Sequence, residues 1–127
     1  MTRLGLITLI VPDYDPAIAW FKSALGWSVR EDRDEGQKRW VVVGPPDEGT
    51  GMVLARAATD AQRAMIGQQG AGRVWLFLET DDIASARLRM EQAGTHFEEE
   101  TRNEPYGRVA VFRDPWGNRW DLLERSV

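Results

Sequence analysis

The sequence contains no cysteine and only one histidine, His96, among its 127 residues. The lack of cysteine excludes disulfides, thiolate catalysis and cysteine-based metal sites, and it favours a reducing cytoplasm as the location. One imidazole cannot form a histidine-rich zinc or iron site, and a Ser-His-Asp triad would depend on His96 alone. We therefore expect a function that does not rest on cysteine or histidine chemistry.

Long apolar runs and clusters of basic residues are also missing. No stretch approaches the ~20 apolar residues that cross a bilayer, and the first residues lack the features of a signal peptide. The net charge is −4, whereas a nucleic-acid-binding surface needs concentrated positive charge. We expect a soluble cytoplasmic protein that binds neither nucleic acid nor membrane.

A weak internal repeat divides the chain into two similar halves. When the sequence is shifted by 69 positions, Arg39 aligns with Arg108 and Pro46 with Pro115. Each half reads as a β-rich run, a helix and three further strands. The repeat therefore predicts two βαβββ modules.

The modules are predicted at about residues 4–57 and 73–125, joined by a linker at about 58–72. Each small sheet needs its helix on one face to bury apolar surface, which leaves the other face open. We therefore predict an α+β fold, a single domain over residues 1–127. Its eight strands form one curled sheet with a central cleft, which is the usual place for a small-molecule ligand.

Capping residues mark the predicted helices. Asp13 or Asp15 is a suitable N-cap in the first module, and the segment Thr80-Asp81-Asp82 gives the start signal for the helix of the second. Gly26 and Gly94 stand where helix C-termini need a left-handed residue. A short helix capped by Thr59 is predicted within 57–66, and the strands after the main helices are predicted at 27–33, 39–44, 52–57, 96–101, 108–113 and 119–124.

Two segments resemble one protein family. Residues 6–27 are similar to its opening strand, Asp-initiated helix, aromatic pair and Leu-Gly ending, and residues 112–124 carry its Phe-x-Asp-Pro-x-Gly-Asn hairpin. The family is the vicinal oxygen chelate superfamily, which includes glyoxalase I, bleomycin-resistance proteins and extradiol dioxygenases. The resemblance covers nearly the whole chain and implies the glyoxalase/bleomycin-resistance fold, although that fold hosts unrelated chemistries.

The resemblance also implies where a metal would bind. The family's metalloenzymes take ligands from the first and last strands of each module, at positions that here hold Leu6, Met52, Trp75 and Asp121. Leucine has no lone pair, an indole nitrogen only donates, and a thioether is too soft for hard divalent ions. Because one carboxylate does not hold a metal tightly, we predict no metal and no cofactor. The resemblance then points to the bleomycin-resistance branch, whose members are dimers that sequester a ligand.

Strand alternation predicts the residues that line the cleft. Trp75, Phe77 and Glu79 fall on one face, where they form an aromatic wall for a ligand or fill the cleft themselves. Asp121 orients a ligand group, acts as a general base, or forms a structural ion pair with Arg119 or another arginine.

The loop at 103–108 adds two candidates. Tyr106 and Arg108 reach the ligand if this loop covers the cleft, or they belong to an ordinary turn. The predicted ligand-binding residues are Leu6, Met52, Trp75, Phe77, Glu79, Tyr106, Arg108 and Asp121.

Three functions are compatible with these features. The first is a homodimeric, metal-independent protein that binds a small organic molecule. The second is an enzyme of lyase, isomerase or dioxygenase type that uses Asp121, Glu79 or Tyr106 in acid–base chemistry, with an atypical metal or none. The third is a domain with a filled cleft that serves assembly only.

Overall fold

The structure, a computed structural model, describes residues 1–126. The fold divides into two compact units, the first ending at Ala64 and the second beginning at Met65. This boundary lies inside the linker predicted at 58–72. Within the described residues, no helix combines the length and the hydropathy of a membrane span.

The first unit is a βαβββ module followed by a short helix. Its four strands lie in the order β1-β4-β3-β2, with β1 parallel to β4 and the other neighbours antiparallel. Thr59 Oγ1 accepts the N–H of Gln62 at 3.1 Å, which confirms Thr59 as the cap of the short helix. The elements are β1 (Leu6–Val11), α1 (Tyr14–Leu25), β2 (Ser28–Asp34), β3 (Arg39–Gly44), β4 (Gly51–Arg56) and α2 (Asp60–Met65).

Helix α1 begins and ends where its caps predict. The Asp13 carboxylate accepts the N–H of Tyr14 at 2.8 Å, and Gly26 adopts a left-handed conformation with φ of 68°. Its buried face is centred on Ala17 and Phe21, both fully buried, and packs against β2, β3 and β4. The helix therefore covers one face of the sheet and leaves the other face uncovered.

The second unit repeats the same topology. Strand β5 is parallel to β9, and β8 lies between β9 and the short strands β6 and β7. The elements are β5 (Val74–Glu79), α3 (Ile83–Gln92), β6 (His96–Phe97), β7 (Arg102–Glu104), β8 (Gly107–Arg113) and β9 (Arg119–Arg125).

Helix α3 also follows its predicted caps. Asp82 accepts the N–H of Ser85 at 3.1 Å and its hydroxyl at 2.8 Å, and Gly94 is left-handed with φ of 88°. Ile83 and Met90 are buried, whereas Leu88 on the same helix is 57% exposed.

The strand predicted at 96–101 ends at Phe97, and a further short strand, β7, begins at Arg102, beyond the predicted bounds. The Val111 carbonyl accepts the N–H of Glu98 at 2.9 Å, but the Val111 N–H donates to the Glu99 carboxylate at 2.9 Å. Because a side chain takes the place of a main-chain acceptor, the backbone bends and pairing resumes at Arg102. The two sheets therefore contain nine strands rather than eight.

The turn between β8 and β9 is organised by one buried carboxylate. Asp114 Oδ1 accepts the N–H groups of Trp116, Gly117 and Asn118 at 2.9–3.1 Å. Its Oδ2 accepts the Asn118 amide at 2.9 Å and the Trp120 indole N–H at 3.0 Å. Burial raises the pKa of Asp114, and these hydrogen bonds oppose the rise. The Asp-Pro-x-Gly-Asn motif thus stabilises this turn.

Candidate functional site

The register of the two sheets shows which residues are equivalent. Thr8 pairs with Val53 in the first unit, and Phe77 pairs with Asp121 in the second. Phe77 corresponds to Thr8 at a shift of 69, so Asp121 corresponds to Val53 at a shift of 68. The turn before the last strand, residues 45–50 or 114–118, is one residue shorter in the second unit. The expected equivalence of Met52 and Asp121 is therefore wrong.

Met52 lies on the buried face of its sheet. It is 3% exposed and alternates with Val53 on the same side as Leu54, which is 1% exposed. Because Met52 takes part in the core of the first unit, the structure does not place it with the open-face residues. Val53 occupies the position that the sequence comparison gave to Met52.

The corrected set of donors fits a metal even less well than the predicted one. Leu6, Val53 and Trp75 offer no ligand atom, and Asp121 offers one carboxylate. Within residues 1–126, no three histidine, cysteine, aspartate or glutamate side chains are grouped to hold a metal ion. The residues present do not match the tight divalent site of the family's metalloenzymes.

Asp121 is a buried carboxyl group with an unsatisfied oxygen. It is 7% exposed, and its Oδ1 has no hydrogen-bond partner in the described part of the chain. Arg119, the ion-pair partner considered from the sequence, instead donates to Glu98 at 2.9 and 3.2 Å. Burial raises the pKa of Asp121. The positive charge of the nearby Arg102 opposes this rise, and the negative charge of Glu99 adds to it. An unsatisfied buried acceptor is suited to a ligand amine or hydroxyl.

Glu99 and Arg102 are site residues that the sequence analysis missed. Arg102 Nε donates to Glu99 at 3.1 and 3.2 Å, and a terminal nitrogen donates to Glu104 at 2.8 Å. Arg102 lies opposite Val109 on β8, which places it on the Asp121 side of the sheet. Because the pair forms only after the strand bends at Glu99, alternation along a continuous strand did not reveal it.

Phe77 presents an open aromatic surface beside Asp121. The two residues are direct cross-strand partners, and Phe77 is 64% exposed. Trp75 sits at a register irregularity, half-buried, with its ring perpendicular to that of Trp120 at 6.1 Å between centroids. Within the second unit, Phe77 offers free surface, whereas Trp75 is part of an aromatic pair.

Two of the other predicted residues are on the surface of the second unit. Glu79 forms an ion pair with Arg125 in which both side chains are more than half exposed. Tyr106 is 49% exposed in the turn between β7 and β8. The pKa of the Arg102 guanidinium is raised mainly by its hydrogen bond to Glu104, and Tyr106 adds to the rise.

Arg108 lies on the opposite face from Asp121. It alternates with Val109 on β8 and pairs in register with Glu124. The pKa of Asp82 is lowered by its hydrogen bonds from Ser85 and, to a smaller extent, by the charge of Arg108. Arg108 is thus close to the start of α3 rather than in a lid. Leu6, in the first unit, is 41% exposed.

Comparison with known proteins connects these features to a family. Residues 3–122 match the family model described as the Glyoxalase/Bleomycin resistance protein/Dioxygenase superfamily. The crystal structure of UcmS2 is 32% identical, with 98% of both chains covered and a TM-score of 0.84. TnmS3, an antibiotic binding protein from Streptomyces sp. CB03234, is 25% identical, with 99% and 98% covered and a TM-score of 0.75. These structures confirm the predicted α+β fold.

One relative, for which no activity is stated, has a higher sequence identity to this chain. An uncharacterized protein from Shewanella frigidimarina is 46% identical over 121 residues, which cover 93% of this chain and 90% of the relative. The sequence similarity therefore extends over both units.

Proposed function

Because this chain belongs to the Glyoxalase/Bleomycin resistance protein/Dioxygenase superfamily, we propose that it binds a small organic molecule without a metal ion. The observation that carries the proposal is the Asp121 carboxyl, which is buried with Oδ1 unsatisfied beside the exposed ring of Phe77. Desolvating an acceptor and leaving it unpaired costs about 1–3 kcal/mol. A ligand donor offsets that cost.

The chemistry around Asp121 defines the ligand class. Val111 lies opposite Asp121 on β8, and Leu123 follows Asp121 on the same face of β9. The Phe77 ring extends this apolar surface. A planar or apolar body with an amine or hydroxyl donor matches the combination. The similarity to TnmS3, an antibiotic binding protein, supports an antibiotic-like compound of this description.

An enzymatic role is the second candidate, and the raised pKa of Asp121 favours it. A carboxyl whose pKa lies above its ordinary value is a better proton acceptor when ionised. Asp121 then removes a proton from the bound ligand at the unsatisfied Oδ1. Glu79 is a weaker candidate because it pairs with Arg125 on the surface.

We propose a homodimer in the cytoplasm as the working form. The exposed apolar side chains Leu4, Leu6 and Phe77, at 65%, 41% and 64% exposure, favour a partner of the same sequence, since dimers are the commonest symmetric assemblies. Light scattering coupled to size exclusion tests this, and a mass of one chain at micromolar concentration contradicts it.

Ligand screening by thermal unfolding tests the binding proposal. Protein treated with EDTA is screened against planar aromatic amines, phenols and aromatic antibiotics, because binding to the native state raises Tm. We expect at least one class to raise Tm, and the rise to fall sharply in Asp121→Asn and Phe77→Ala. Asp81→Asn is the matched control, because it makes the same substitution at an exposed residue of the second unit and should leave the rise unchanged.

Mass spectrometry of the incubated ligand separates the two candidates. Recovery of the unchanged compound supports binding alone, and a product that Asp121→Asn fails to form supports the enzyme. If no compound raises Tm in the absence of metal and added metal restores a response, the metal-independent proposal is wrong.

A further inference from the structure

Residues 67–72, near the start of the second unit, form a folded segment, which we call the strap. Consecutive turns run through it, closed by the N–H groups of Gln68, Ala71 and Arg73, which donate to main-chain carbonyls three residues earlier at 2.9–3.0 Å. Ala71 has φ of 52°, a left-handed conformation that residues other than glycine rarely adopt. Such a conformation persists only where the surrounding contacts fix it.

Side-chain hydrogen bonds fasten the strap to residues at the start of β9. Asn118 Oδ1 accepts the N–H of Gln69 at 3.1 Å, and the Arg119 guanidinium donates to the Gly72 carbonyl at 3.0 Å. The same guanidinium is held from another side, because it donates to Glu98 at 2.9 Å. The strap is therefore tied both at its middle and at its end.

Asn118 is the more deeply buried of these two anchors. It is 2% exposed, and its amide NH2 donates to Asp114 Oδ2 at 2.9 Å while its Oδ1 holds the strap. The first strap residue, Gly67, lies so close to the same turn that a Cβ atom there would overlap the Trp116 carbonyl oxygen. The turn that Asp114 organises therefore also carries the strap.

The far end of the strap leads into a bulge at Trp75. The pairing of β5 with β9 is irregular between Val74 and Leu76, which leaves Trp75 out of register. A Cβ atom at Gly70 would lie 2.8 Å from Trp75 Cβ, so the strap packs directly on the bulged residue. Bulges redirect side chains relative to the normal alternation of a strand. The strap therefore contributes to the direction of the Trp75 side chain.

The redirected indole closes a ring of contacts. Trp75 stands perpendicular to Trp120 with 6.1 Å between the ring centroids, and the Trp120 indole N–H donates to Asp114 at 3.0 Å. One buried carboxylate thus reaches Trp75 by two routes, through Trp120 and through the strap. In a strand without the bulge, Trp75 would point to the same side as Phe77.

We propose that the strap, held by Asn118, fixes the bulge at Trp75 and keeps its indole on Trp120 instead of beside Phe77. Asn118 is then a positioning residue, which acts on the aromatic surface of the second unit through the strap. The consequence for ligands rests on the proposed function, because an indole released from the bulge would cover the surface beside Phe77 that a planar ligand contacts.

Fluorine NMR of the full chain labelled with 5-fluorotryptophan tests the strap without a ligand. The Trp75 resonance is assigned by its absence in Trp75→Phe, and the tryptophans of the first unit serve as internal references. We expect Gly70→Ala to shift the Trp75 resonance by more than its linewidth, because the added methyl displaces the indole from the Trp120 ring. Gln68→Ala removes an exposed side chain from the same segment and should leave the resonance in place. An unmoved Trp75 resonance in Gly70→Ala overturns the proposal.

Asn118→Ala tests the anchor. We expect the Trp75 resonance to move and the Gln69 amide to exchange its hydrogen about tenfold faster or more, whereas Asn103→Ala, at an exposed position of β7, should change neither. If Asn118→Ala does not fold, Gly70→Ala carries the test because it leaves the turn intact. Unchanged exchange at Gln69, or faster exchange with an unmoved Trp75 resonance, overturns the proposal.

Proflavine titration of the same variants separates this proposal from the proposed function. We expect Asn118→Ala and Gly70→Ala to bind proflavine about tenfold more weakly than wild type, a loss typical of one aromatic contact. Equal binding by wild type and both variants overturns the positioning role of Asn118. If wild type does not bind proflavine, the proposed function fails, and the fluorine and exchange measurements still decide whether the strap holds Trp75.

Discussion

The two units share a fold but differ on the open faces of their sheets. At equivalent positions of the paired first and last strands, one unit has Thr8 opposite Val53 and the other has Phe77 opposite Asp121. The buried faces, by contrast, remain apolar in both, with Leu54 and Leu122 at equivalent positions and 1% or less exposed. Packing therefore constrains one face of each sheet, and the side chains on the other face are free to differ between the two units.

The turns before the last strands differ just as much. Asp114 is buried and accepts five hydrogen bonds. Asp47, in the corresponding turn of the first unit, is exposed and accepts the N–H of Gly49 at 2.7 Å. A turn that depends on one buried carboxylate is far more sensitive to mutation than a turn built mainly from proline and glycine.

Replacing these two aspartates should produce the largest difference. We expect Asp114→Ala to lower the free energy of unfolding by about 3–5 kcal/mol, because it leaves several buried donors unpaired. Asp47→Ala should lower it by about 0.5 kcal/mol. Urea unfolding of both variants measures the difference, and similar losses would contradict the structural role of Asp114.

Two hairpin glycines give the next largest contrast. Gly107 has φ of 152°, and a Cβ atom there would lie 2.2 Å from the Glu124 carbonyl oxygen, whereas Gly36 has φ of 88° with open space around it. We expect Gly107→Ala to cost about 3 kcal/mol and Gly36→Ala about 1 kcal/mol, the strain of a left-handed alanine alone. Thermal unfolding measures both, and equal costs would show that the Gly107 contact relaxes.

Asp121→Asn should stabilise the protein, in contrast to most replacements of buried polar residues. The pKa of Asp121 is raised in the folded state, so the native protein binds its proton more tightly than the unfolded chain does. Wild-type stability therefore falls as pH rises from the ordinary aspartate pKa of about 3.9 through the raised value. The advantage of Asp121→Asn should be about 1 kcal/mol at pH 7 and smallest at low pH.

Asp32→Asn in the first unit is the matched control with the opposite sign. Hydrogen bonds from Arg39 lower the pKa of Asp32. Its contribution to the stability of the fold is therefore present at neutral pH and is lost as pH falls through the lowered pKa. Urea midpoints of the two variants between pH 3 and pH 7 should therefore diverge from wild type in opposite directions. Parallel pH profiles would contradict the assigned environments.

The smallest effects should come from surface ion pairs. Glu79→Gln removes the exposed pair with Arg125 and should change the free energy of unfolding by about 0.5 kcal/mol or less. Glu98→Gln should cost about 1 kcal/mol, because Glu98 is better shielded and forms ion pairs with Arg113 and Arg119 at 3.2 and 2.9 Å. Thermal unfolding in low and high salt distinguishes the two.

The repeat and the helix caps could be predicted because each depends on local chemistry. Asp13 and Asp82 cap helices with their own side chains, and Gly26 and Gly94 adopt the left-handed conformation that other residues avoid. The Asp-Pro-x-Gly-Asn turn was also identifiable, since its aspartate bonds to residues within six positions.

The remaining features depend on contacts between strands. The split at 98–101 requires the Glu99 side chain to bond Val111 on another strand. Val53 rather than Met52 is equivalent to Asp121 because the turn in the second unit is one residue shorter. An alignment at a constant shift of 69 therefore assigns the residues after this turn to the wrong face of the sheet. Because the two halves share few identities, the sequence alone did not reveal that difference.

Titration of EDTA-treated wild type and Asp121→Asn with a planar aromatic amine, such as proflavine, tests the central claim most directly. The unsatisfied carboxyl at Asp121 predicts saturable binding by wild type without metal and binding weakened about tenfold or more in the variant. Equal binding by both proteins, or binding by wild type only after a divalent metal is restored, would contradict it.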